Sequence, residues 1–376
     1  MTHISSPAYV LEEEKLRKNL LVLQQIQERA GISIILSLKG FAMWKIFPLV
    51  NKYLKGATAS SLYEARLCFE EMGQKAHTYC VAYSPLSIQE ILSYSSHLTF
   101  NSLSEFQRYL IDIVVYSDNV SIGIRVNPGF SNVENTSGNP SRSGSRLGET
   151  VDSLPDILPK EIEGLHFHTL SDAGVDSMEE VITAFEQKFE KYMPSLKWVN
   201  MGGGHLLTAE EYETNRLISM LTSFKKKHEV DIILEPGSAI SWESGVLIAS
   251  VLDVVKRDGM HTAILDISFN THIPDVLALP YRPQIRGARE PKPGDSFVYR
   301  LGGRSCLAGD VLSAYAFPTK LLPGDKLVFE NMIQYTMVKT SMFNGLPHPQ
   351  IGIWKEDQSY EVIRTFGYED YKGRLS

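Results

Sequence analysis

The sequence contains little cysteine and no long apolar run. These two absences argue against a disulfide-stabilised protein and against a membrane-spanning one. Three cysteines in 376 residues are too few for a disulfide framework. The first residues, MTHISSPAYV, have neither the basic segment nor the apolar core of a secretion signal. No apolar stretch approaches the roughly 18 residues that a membrane span needs. We therefore expect a cytoplasmic protein that is not embedded in a membrane.

The chain also lacks an excess of positive charge. Lys and Arg number 37 against 44 Asp and Glu, which gives a net charge of -7. This balance argues against a nucleic-acid partner, because binding a phosphate backbone requires a basic surface. The one basic run, Lys225 to Lys227, falls on a predicted helix and is explained by a solvated face. The length suffices for two domains, since single cores stop growing at about 250 to 300 residues.

Eight short apolar runs predict the first domain, and all but the last are followed by a helical pattern or a long loop. They are SIILSL, GATAS, HTYCVA, HLTF, VSIGIRV, EGLHFH, KWVNM and DIILE. Helices are expected between them, for example from Trp44 to Leu54 and from Leu62 to Met72. This alternation predicts an α/β fold, a TIM-type (β/α)8 barrel over residues 12–245, with a doubly wound open sheet as the alternative.

The pattern changes after residue 245. The segments VLIASVLDVV, TAILDIS, DSFVYRLGG, DKLVFEN and YTMVKTSM are strand-like, with turns such as KPGD and LPGD between them. We expect a mostly antiparallel β-domain at 246–376, joined by an N-terminal strand at 1–11. The polar loop at 127–150 is either a disordered insert or a loop that covers the substrate.

Several polar or glycine residues follow predicted barrel strands, at the end where TIM-type barrels build their active sites. Lys39 follows the first strand, where the edge of an apolar barrel lowers the pKa of an amine and makes it nucleophilic. Gly202, Gly203 and Gly204 precede a helix and offer N–H groups to a phosphate. Glu235 ends the last strand and can keep a pyridine nitrogen protonated. Each has an ordinary alternative, but together they predict one cofactor site.

His166 and His168 lie on one face of the sixth strand and leave a metal site as a competing hypothesis. No HExxH motif or cysteine cluster supplies further ligands, so we expect no metal. Arg125 lies near the end of the fifth strand. In the β-domain, Cys306 stands near a carboxylate in GGRSCLAGDV, and Tyr335 lies in MIQYTMVKTSMFNG. Simple packing is the alternative for both side chains.

The motifs SLKGF, GLHFH, MGGGH, EPG, SCLAGD and YT…FNG, in this order, resemble the fold-type III pyridoxal-phosphate (PLP) decarboxylases. This alanine-racemase-like group includes ornithine and diaminopimelate decarboxylases, and the resemblance covers nearly the whole chain. PAYVLEEEKLRKN, KWVNMGGGH and THIPDVLALPYRP are similar to the carboxynorspermidine/carboxyspermidine decarboxylases. The resemblance implies PLP-dependent decarboxylation of carboxynorspermidine or carboxyspermidine in polyamine biosynthesis, with diaminopimelate or another basic amino acid as the alternative substrate.

The resemblance also implies roles for the cofactor-binding residues. Lys39 would form the Schiff base with PLP, and His168 would stack on its ring. Glu235 would pair with the ring nitrogen. The glycine run, Gly237 and Tyr335 would hold the phosphate.

Further roles follow from relatives whose active sites are shared between two subunits. Cys306 from the second subunit would protonate the product, and Asp310 would contact substrate amines. The active unit would then be a homodimer. Asp275 and Asp266 are the further candidates for binding the distal amines of the substrate.

Other activities fit the sequence less well. A carboxylate at the ring nitrogen, where racemases of this group have arginine, favours decarboxylation. Ser238 stands where ornithine-type relatives have arginine, and Ala57 where they have aspartate, so ornithine is not expected as substrate. A PLP-binding homeostasis protein would lack the β-domain. A metal-dependent barrel hydrolase is the alternative from a different class.

Overall fold

A computed structural model describes residues 3–116, 119–134, 138–278 and 281–376. The strands in this part of the chain are β1 (Ala8–Glu12), β2 (Ser33–Ile34), β3 (Leu36–Ser37), β4 (Ala57–Ala59), β5 (Ala76–Tyr79), β6 (Ser95–Phe100), β7 (Ser121–Arg125), β8 (Ile162–His166), β9 (Trp198–Asn200), β10 (Asp231–Leu234), β11 (Gly245–Arg257), β12 (Met260–Leu265), β13 (Val298–Gly302), β14 (Val311–Ala316), β15 (Lys326–Glu330), β16 (Gln350–Trp354) and β17 (Tyr360–Arg364).

The helices in the same ranges alternate with the strands of the first half. They are α1 (Glu13–Ala30), α2 (Phe47–Val50), α3 (Leu62–Met72), α4 (Ile88–Tyr94), α5 (Leu103–Arg108), α6 (Leu110–Tyr116), α7 (Val175–Phe189), α8 (Thr214–His228), α9 (Phe269–His272), α10 (Asp275–Ala278), α11 (Tyr335–Val338) and α12 (Tyr368–Gly373). Short 3-10 helices lie at Trp44–Ile46, Val151–Ser153, Glu190–Ser195 and Phe343–Gly345. Of the described helices, none is long and apolar enough to cross a membrane.

The chain divides into two compact units, Lys18–Ile240 and the combination of Met1–Arg17 with Ser241–Ser376. The domain ranges predicted from the sequence differ from this division at residues 12–17 and 241–245. Residues 135–137 of the predicted 127–150 loop lie outside the described residues. Coverage of the substrate by that loop stays a prediction.

A parallel barrel forms the unit Lys18–Ile240. Its strands pair in the order β2-β10-β9-β8-β7-β6-β5-β4-β3, and each pair is parallel. β2 and β3 are two parts of one segment, 33–37, in which the N–H of Ile35 donates to the carbonyl of Leu234 at 3.0 Å. The sheet therefore begins and ends on the same segment and closes. This confirms the predicted α/β barrel and excludes the open sheet.

An aromatic cluster occupies the barrel interior. The Trp198 indole covers two glycines of neighbouring strands, where an added Cβ would lie 2.3 Å (Gly123) and 2.1 Å (Gly164) from it. The same indole meets the ring of His97 edge-on at 5.3 Å, and His97 stacks on His77 at 3.8 Å between centroids. Because β9 and β6 are not neighbours in the sheet, a contact between their side chains requires the interior of the barrel.

Local sequence signals explain where α3 begins and ends. The hydroxyl of the N-cap Ser61 accepts the N–H of Glu64 at 3.2 Å, and the Glu64 carboxylate accepts the N–H of Ser60, the residue before the N-cap, at 2.6 Å. Gly73, with φ of 68°, ends the helix in the left-handed conformation. The predicted Leu62 to Met72 helix is therefore confirmed. The helix predicted from Trp44 to Leu54 is shorter, a 3-10 turn followed by the four residues of α2.

The second unit contains an eight-stranded sheet in the order β14-β13-β12-β11-β1-β16-β17, with β15 paired to β11. β1–β16 and β12–β13 are parallel, and the other described pairs are antiparallel. The mostly antiparallel domain is confirmed, including the strand from the N-terminal segment. The strand predicted at YTMVKTSM is wrong, since Tyr335–Val338 is helical. A short apolar run does not distinguish a buried helical turn from a strand.

The stacked histidines predict how stability changes with pH. Burial, reinforced by His97, lowers the pKa of His77 to about 3, and burial lowers the pKa of His97 to about 4. Glu235 opposes the first shift and Glu163 the second. Unfolded histidine titrates near about 6.5, so the stabilisation is complete above that pH and is lost as the pH falls toward the folded values. We expect the urea midpoint to decrease between about pH 7.5 and about pH 5, and to decrease less in His77→Gln.

His261→Gln is the matched control, because this histidine is exposed on β12. It should keep the pH dependence of the unmodified protein. An equally steep loss of stability in His77→Gln would contradict the assignment.

Candidate active site

Four segments bring the predicted barrel residues to one mouth of the barrel. Lys39 lies just beyond β3, His168 beyond β8, Gly202 beyond β9 and Glu235 directly after β10. Parallel strands present their carboxyl ends at the same edge. The barrel residues singled out from the sequence are therefore neighbours in the fold.

The hydrogen bonds of His168 determine the protonation of Lys39. The backbone N–H of Gly203 donates to His168 Nδ1 at 2.9 Å, so this nitrogen carries no proton. Burial lowers the pKa of His168 well below its usual value, and the ring is neutral with its proton on Nε2. That nitrogen lies 3.2 Å from Lys39 Nζ, which must accept. Burial lowers the pKa of Lys39, and Glu235 opposes the shift only in part. Lys39 is thus placed as a neutral, nucleophilic amine.

Asn200 links the glycine run to Glu235. Its Oδ1 accepts the N–H of Gly202 at 2.9 Å, which fixes the orientation of the amide. Its Nδ2 then donates to Glu235 Oε1 at 2.7 Å. Burial would raise the pKa of Glu235, but the neighbouring His166, Asn200 and Lys39 together outweigh it and lower the pKa to about 2. The carboxylate is ionised and held in one orientation.

His166 faces the other oxygen of the same carboxylate. Its Nε2 lies 3.6 Å from Glu235 Oε2, beyond a normal hydrogen bond. Both ring nitrogens are buried and have no hydrogen-bond partner within the described residues. Burial lowers the pKa of His166, and the adjacent Glu235 opposes this shift. One oxygen of Glu235 therefore retains hydrogen-bonding capacity toward a further group.

Arg125 supports the backbone at His168. Its guanidinium donates to the His168 carbonyl at 2.8 Å and lies 4.7 Å from the centre of the Tyr79 ring. Arg125 is only 5% exposed, so this cation is fixed beneath the mouth and not free in solvent. The carbonyl contact holds the histidine main chain in register with the strand end.

Close packing against neighbouring backbone is sufficient to require glycine at the positions of the glycine run, whether or not a ligand binds there. An added Cβ would lie 2.4 Å from the Phe167 carbonyl oxygen at Gly202, and 2.1 Å from the Glu235 carbonyl oxygen at Gly203. The run lies between a strand and a helix as expected, but it is not at the helix N-terminus, because α8 begins only at Thr214. Two of its three N–H groups are already bonded, to Asn200 and His168. The phosphate-binding role of the run stays a prediction.

A second close approach joins the Lys39 and Glu235 segments. An added Cβ at Gly40 would lie 2.8 Å from Gly237 Cα. The glycines of SLKGF and EPG thus let these two turns touch. Gly237 therefore has a packing role in addition to the phosphate contact predicted for it.

The second unit holds the other predicted residues. Cys306 is exposed, and Tyr335 is the first residue of α11. Asp275 pairs with Lys339 at 2.7 Å, and the Lys339 ammonium lies 5.4 Å from the Tyr335 ring centre. These contacts leave Asp275 partly exposed, with 24% of its side chain accessible.

Two carboxylates expected to bind substrate amines are instead structural. Asp310, 2% exposed, accepts the N–H of Phe269 at 2.7 Å and the Ser305 hydroxyl at 2.6 Å, one on each oxygen. Further N–H groups of Asn270 and Ser305 also donate to it. Each oxygen of Asp310 accepts two hydrogen bonds, so substrate binding by this residue is not supported.

Asp266 is the second of these carboxylates. It accepts the Ser6 hydroxyl at 2.6 Å and the N–H of Ser250 at 2.8 Å. Burial raises its pKa. A buried group already bonded within the sheet is poorly placed for a substrate amine, and we withdraw it as a candidate.

The alternative metal site finds no support from the ligands in the described ranges. No group of three or more His, Cys, Asp or Glu side chains there is arranged to hold a metal ion. His168 bonds to Lys39 and Gly203, whereas His166 faces Glu235. The two histidines therefore serve different neighbours.

Asn200 and Gly40 are the site residues that sequence reasoning missed. Asn200 ends an otherwise apolar strand, KWVNM, and a polar residue at a buried strand end was a usable signal. Gly40 had no such signal, because the close approach that requires it involves a segment distant in sequence.

Comparison with known proteins places this site in a family. The family model described as pyridoxal-dependent decarboxylase, C-terminal sheet domain, matches residues 9–333. The chain belongs to the pyridoxal-dependent decarboxylases. It is 44% identical to the carboxyaminopropylagmatine decarboxylase of Synechocystis, over 100% of this chain and 96% of that protein. It is 40% identical to the carboxynorspermidine/carboxyspermidine decarboxylase of Campylobacter jejuni, over 99% and 98%.

Solved structures agree with this assignment. The Campylobacter jejuni carboxynorspermidine decarboxylase complexed with norspermidine superposes with a TM-score of 0.92 at 39% identity, covering 99% of this chain and 100% of that one. Diaminopimelate decarboxylase of Helicobacter pylori gives a TM-score of 0.78 at 20% identity, over 99% of this chain and 98% of that one, which shows a common fold. This decarboxylase therefore uses pyridoxal phosphate, and a neutral Lys39 beside an ionised Glu235 with one available oxygen fits that cofactor.

The amide of Asn200 predicts a measurable effect on cofactor binding. Asn200→Ala removes the N–H donor that orients Glu235, and a hydrogen bond to a charged group is worth about 1.5 to 3 kcal/mol. We expect PLP affinity to weaken roughly ten- to a hundredfold, measured by absorbance titration near about 420 nm. Asn200→Asp should weaken it further, because a second carboxylate repels Glu235.

Asn215→Ala provides the control, since Asn215 is exposed on α8. It should bind PLP as the unmodified enzyme does. Unchanged affinity in both Asn200 variants would remove this residue from the site.

Proposed function

We propose that this enzyme decarboxylates a carboxylated polyamine precursor, either carboxynorspermidine or carboxyspermidine, in polyamine biosynthesis. The observation that carries the decarboxylase chemistry is the convergence of Lys39, His168 and Glu235 at one barrel mouth. A relative named for these two substrates matches over nearly the full length of both chains. Diaminopimelate is less favoured, since Escherichia coli diaminopimelate decarboxylase is 24% identical over 60% of this chain.

Carboxyaminopropylagmatine is the second candidate substrate. The Synechocystis relative named for it is 44% identical over the whole chain, which is as strong a likeness as that to the Campylobacter jejuni enzyme. Both candidates would have a cationic group distant from the carboxylate that is lost. They differ in that an agmatine end carries a planar guanidinium, which can form a bidentate hydrogen-bonded pair with a carboxylate.

The barrel residues would hold PLP as follows. Lys39 would bind the cofactor aldehyde, because its neutral amine is nucleophilic without a separate base. His168 would lie against the ring, with its position fixed by the Gly203 N–H and by the Arg125 contact to its carbonyl. Tyr335, Gly237 and the glycine run stay candidates for holding the phosphate. When bound, PLP supplies an electron sink for the bond that breaks.

Glu235 would determine the type of reaction. Its low pKa keeps it anionic, so it would hold a proton on the ring nitrogen and strengthen the electron sink. Asn200 keeps one carboxylate oxygen occupied and leaves the other directed toward His166. This arrangement favours loss of carbon dioxide over racemization.

Residues of the β-domain would complete the site. Cys306 would donate a proton to the carbon that loses carbon dioxide, and Asp275 would bind a distal cation in exchange for Lys339. We further propose that these residues come from the second subunit of a homodimer with shared sites. A cytoplasmic location stays a prediction from the sequence.

A substrate panel tests the proposed function. Carbon dioxide release should be fastest with carboxynorspermidine, carboxyspermidine or carboxyaminopropylagmatine, and at least about tenfold slower in kcat/KM with diaminopimelate or ornithine, because the site would bind the extended cationic end. Lys39→Ala is the companion variant. It should lose both the absorbance near about 420 nm and all release.

Lys52→Ala, on an exposed lysine of the same unit, should retain both signals. A preference for diaminopimelate would refute the polyamine assignment while leaving PLP-dependent decarboxylation intact. Retained colour in Lys39→Ala would refute the role of the lysine.

Subunit mixing tests the shared sites. Lys39→Ala and Cys306→Ala are each expected to be nearly inactive as homodimers. In a randomly mixed sample, half of the dimers would be hybrids with one intact site, so activity should return to about a quarter of the unmodified level.

Each variant remixed with itself is the control. No recovery in the mixed sample, with exchange verified by mass spectrometry of differently tagged chains, would place both residues in a site of one subunit. Unchanged kinetics of Cys306→Ala would remove the thiol from the mechanism.

A further inference from the structure

The thiol of Cys306 contacts the side chain of Asn344. Its Sγ lies 3.2 Å from Asn344 Oδ1, and its backbone N–H donates to the same oxygen at 3.0 Å. Two bonds from one residue therefore converge on one amide oxygen. Asn344 lies 38 positions further along the chain, so this is a tertiary contact.

The backbone bond determines the direction of the thiol bond. A backbone N–H can only donate, so the atom facing it must be the amide oxygen and not the amide nitrogen. The same oxygen cannot donate to sulfur. The thiol must therefore be the donor, with its S–H directed at Asn344.

Both flanks of the cysteine are held by the fold. On one side, the buried carboxylate of Asp310 accepts the hydroxyl of Ser305 at 2.6 Å and its N–H at 3.1 Å. On the other, Asn344 has φ of 58° and Gly345 has φ of 70°. Asparagine and glycine tolerate this left-handed conformation best. The turn can therefore place the Asn344 amide beside the thiol at little cost in backbone strain.

We propose that Asn344 is a positioning residue that holds the S–H of Cys306 in one orientation until the thiol delivers its proton. A carbonyl oxygen stabilises an S–H donor and repels a thiolate at the same place. In the step, the S–H bond breaks, its electron pair stays on sulfur, and the proton forms a C–H bond at the carbon that has lost carbon dioxide. Water then returns a proton to sulfur. This inference rests on the proposed role of Cys306.

Thiol reactivity measures the interaction without turnover. Cys68 and Cys80 are buried, so alkylation of the holoenzyme by iodoacetamide reports Cys306, and peptide mass spectrometry assigns it. Asn344→Gly keeps the left-handed turn and removes the acceptor. We expect Cys306 to be alkylated about 3- to 10-fold faster at a fixed pH, the range expected for one modest hydrogen bond.

Asn344→Asp is the conservative variant, since aspartate keeps an acceptor at the same place. The added negative charge disfavours the thiolate, so alkylation should be no faster than in the unmodified enzyme. Asn331→Gly is the matched control: Asn331 also has φ of 58°, and its side chain accepts the N–H of Glu243. It should leave the alkylation rate unchanged.

Steady-state kinetics supply the second readout. Asn344→Gly should lower kcat with little change in KM, because it alters proton delivery and not substrate binding. Alkylation rates equal in Asn344→Gly and Asn331→Gly would overturn the proposal. Accelerated alkylation in an enzyme that decarboxylates no member of the panel would leave the Asn344 contact established and refute the proposed function instead.

Discussion

The hydrogen bond from the Gly203 N–H to His168 Nδ1 determines the chemistry of the barrel mouth. A backbone donor cannot exchange its role, so the imidazole proton lies on Nε2 and the Lys39 amine must accept. An added Cβ at Gly203 would lie 2.1 Å from the Glu235 carbonyl oxygen, so only glycine brings this N–H so close to the last strand. The reactivity of the lysine thus depends on a residue with no side chain.

The charges of the mouth are arranged around this neutral pair. Glu235 is the anion, oriented by Asn200, and Arg125 is a fixed cation bonded to the main chain at His168. Burial lowers the pKa values of the two histidines between them, which disfavours their charged forms. An anionic Glu235 at this mouth would favour the protonated form of a bound pyridine ring, as proposed above.

The sequence predicted which residues lie at the strand ends. It did not predict the hydrogen-bond partners of the buried carboxylates. Lys39 and Glu235 were found because apolar runs end at them and parallel strands share an edge. The hydrogen bonds of Asp310 and Asp266 could not be predicted, because the backbone N–H groups that they accept come from segments distant in sequence. The helix at Tyr335–Val338 differs from the predicted strand because four residues carry too little periodicity to distinguish the two.

The structural role of Asp310 has a consequence for substrate recognition. If that carboxylate holds Ser305 and hence the Cys306 turn, the distal cation of a polyamine needs another anion. Asp275 already holds an ammonium, that of Lys339, in a partly exposed pair. Such pairs contribute only about 0 to 1 kcal/mol, so under the proposed role of Asp275 a substrate cation would replace the lysine at little energetic cost. The same exposure would limit how strongly Asp275 distinguishes one substrate cation from another. The shape and length of the substrate pocket would then separate a substrate with an ammonium end from one with a guanidinium end.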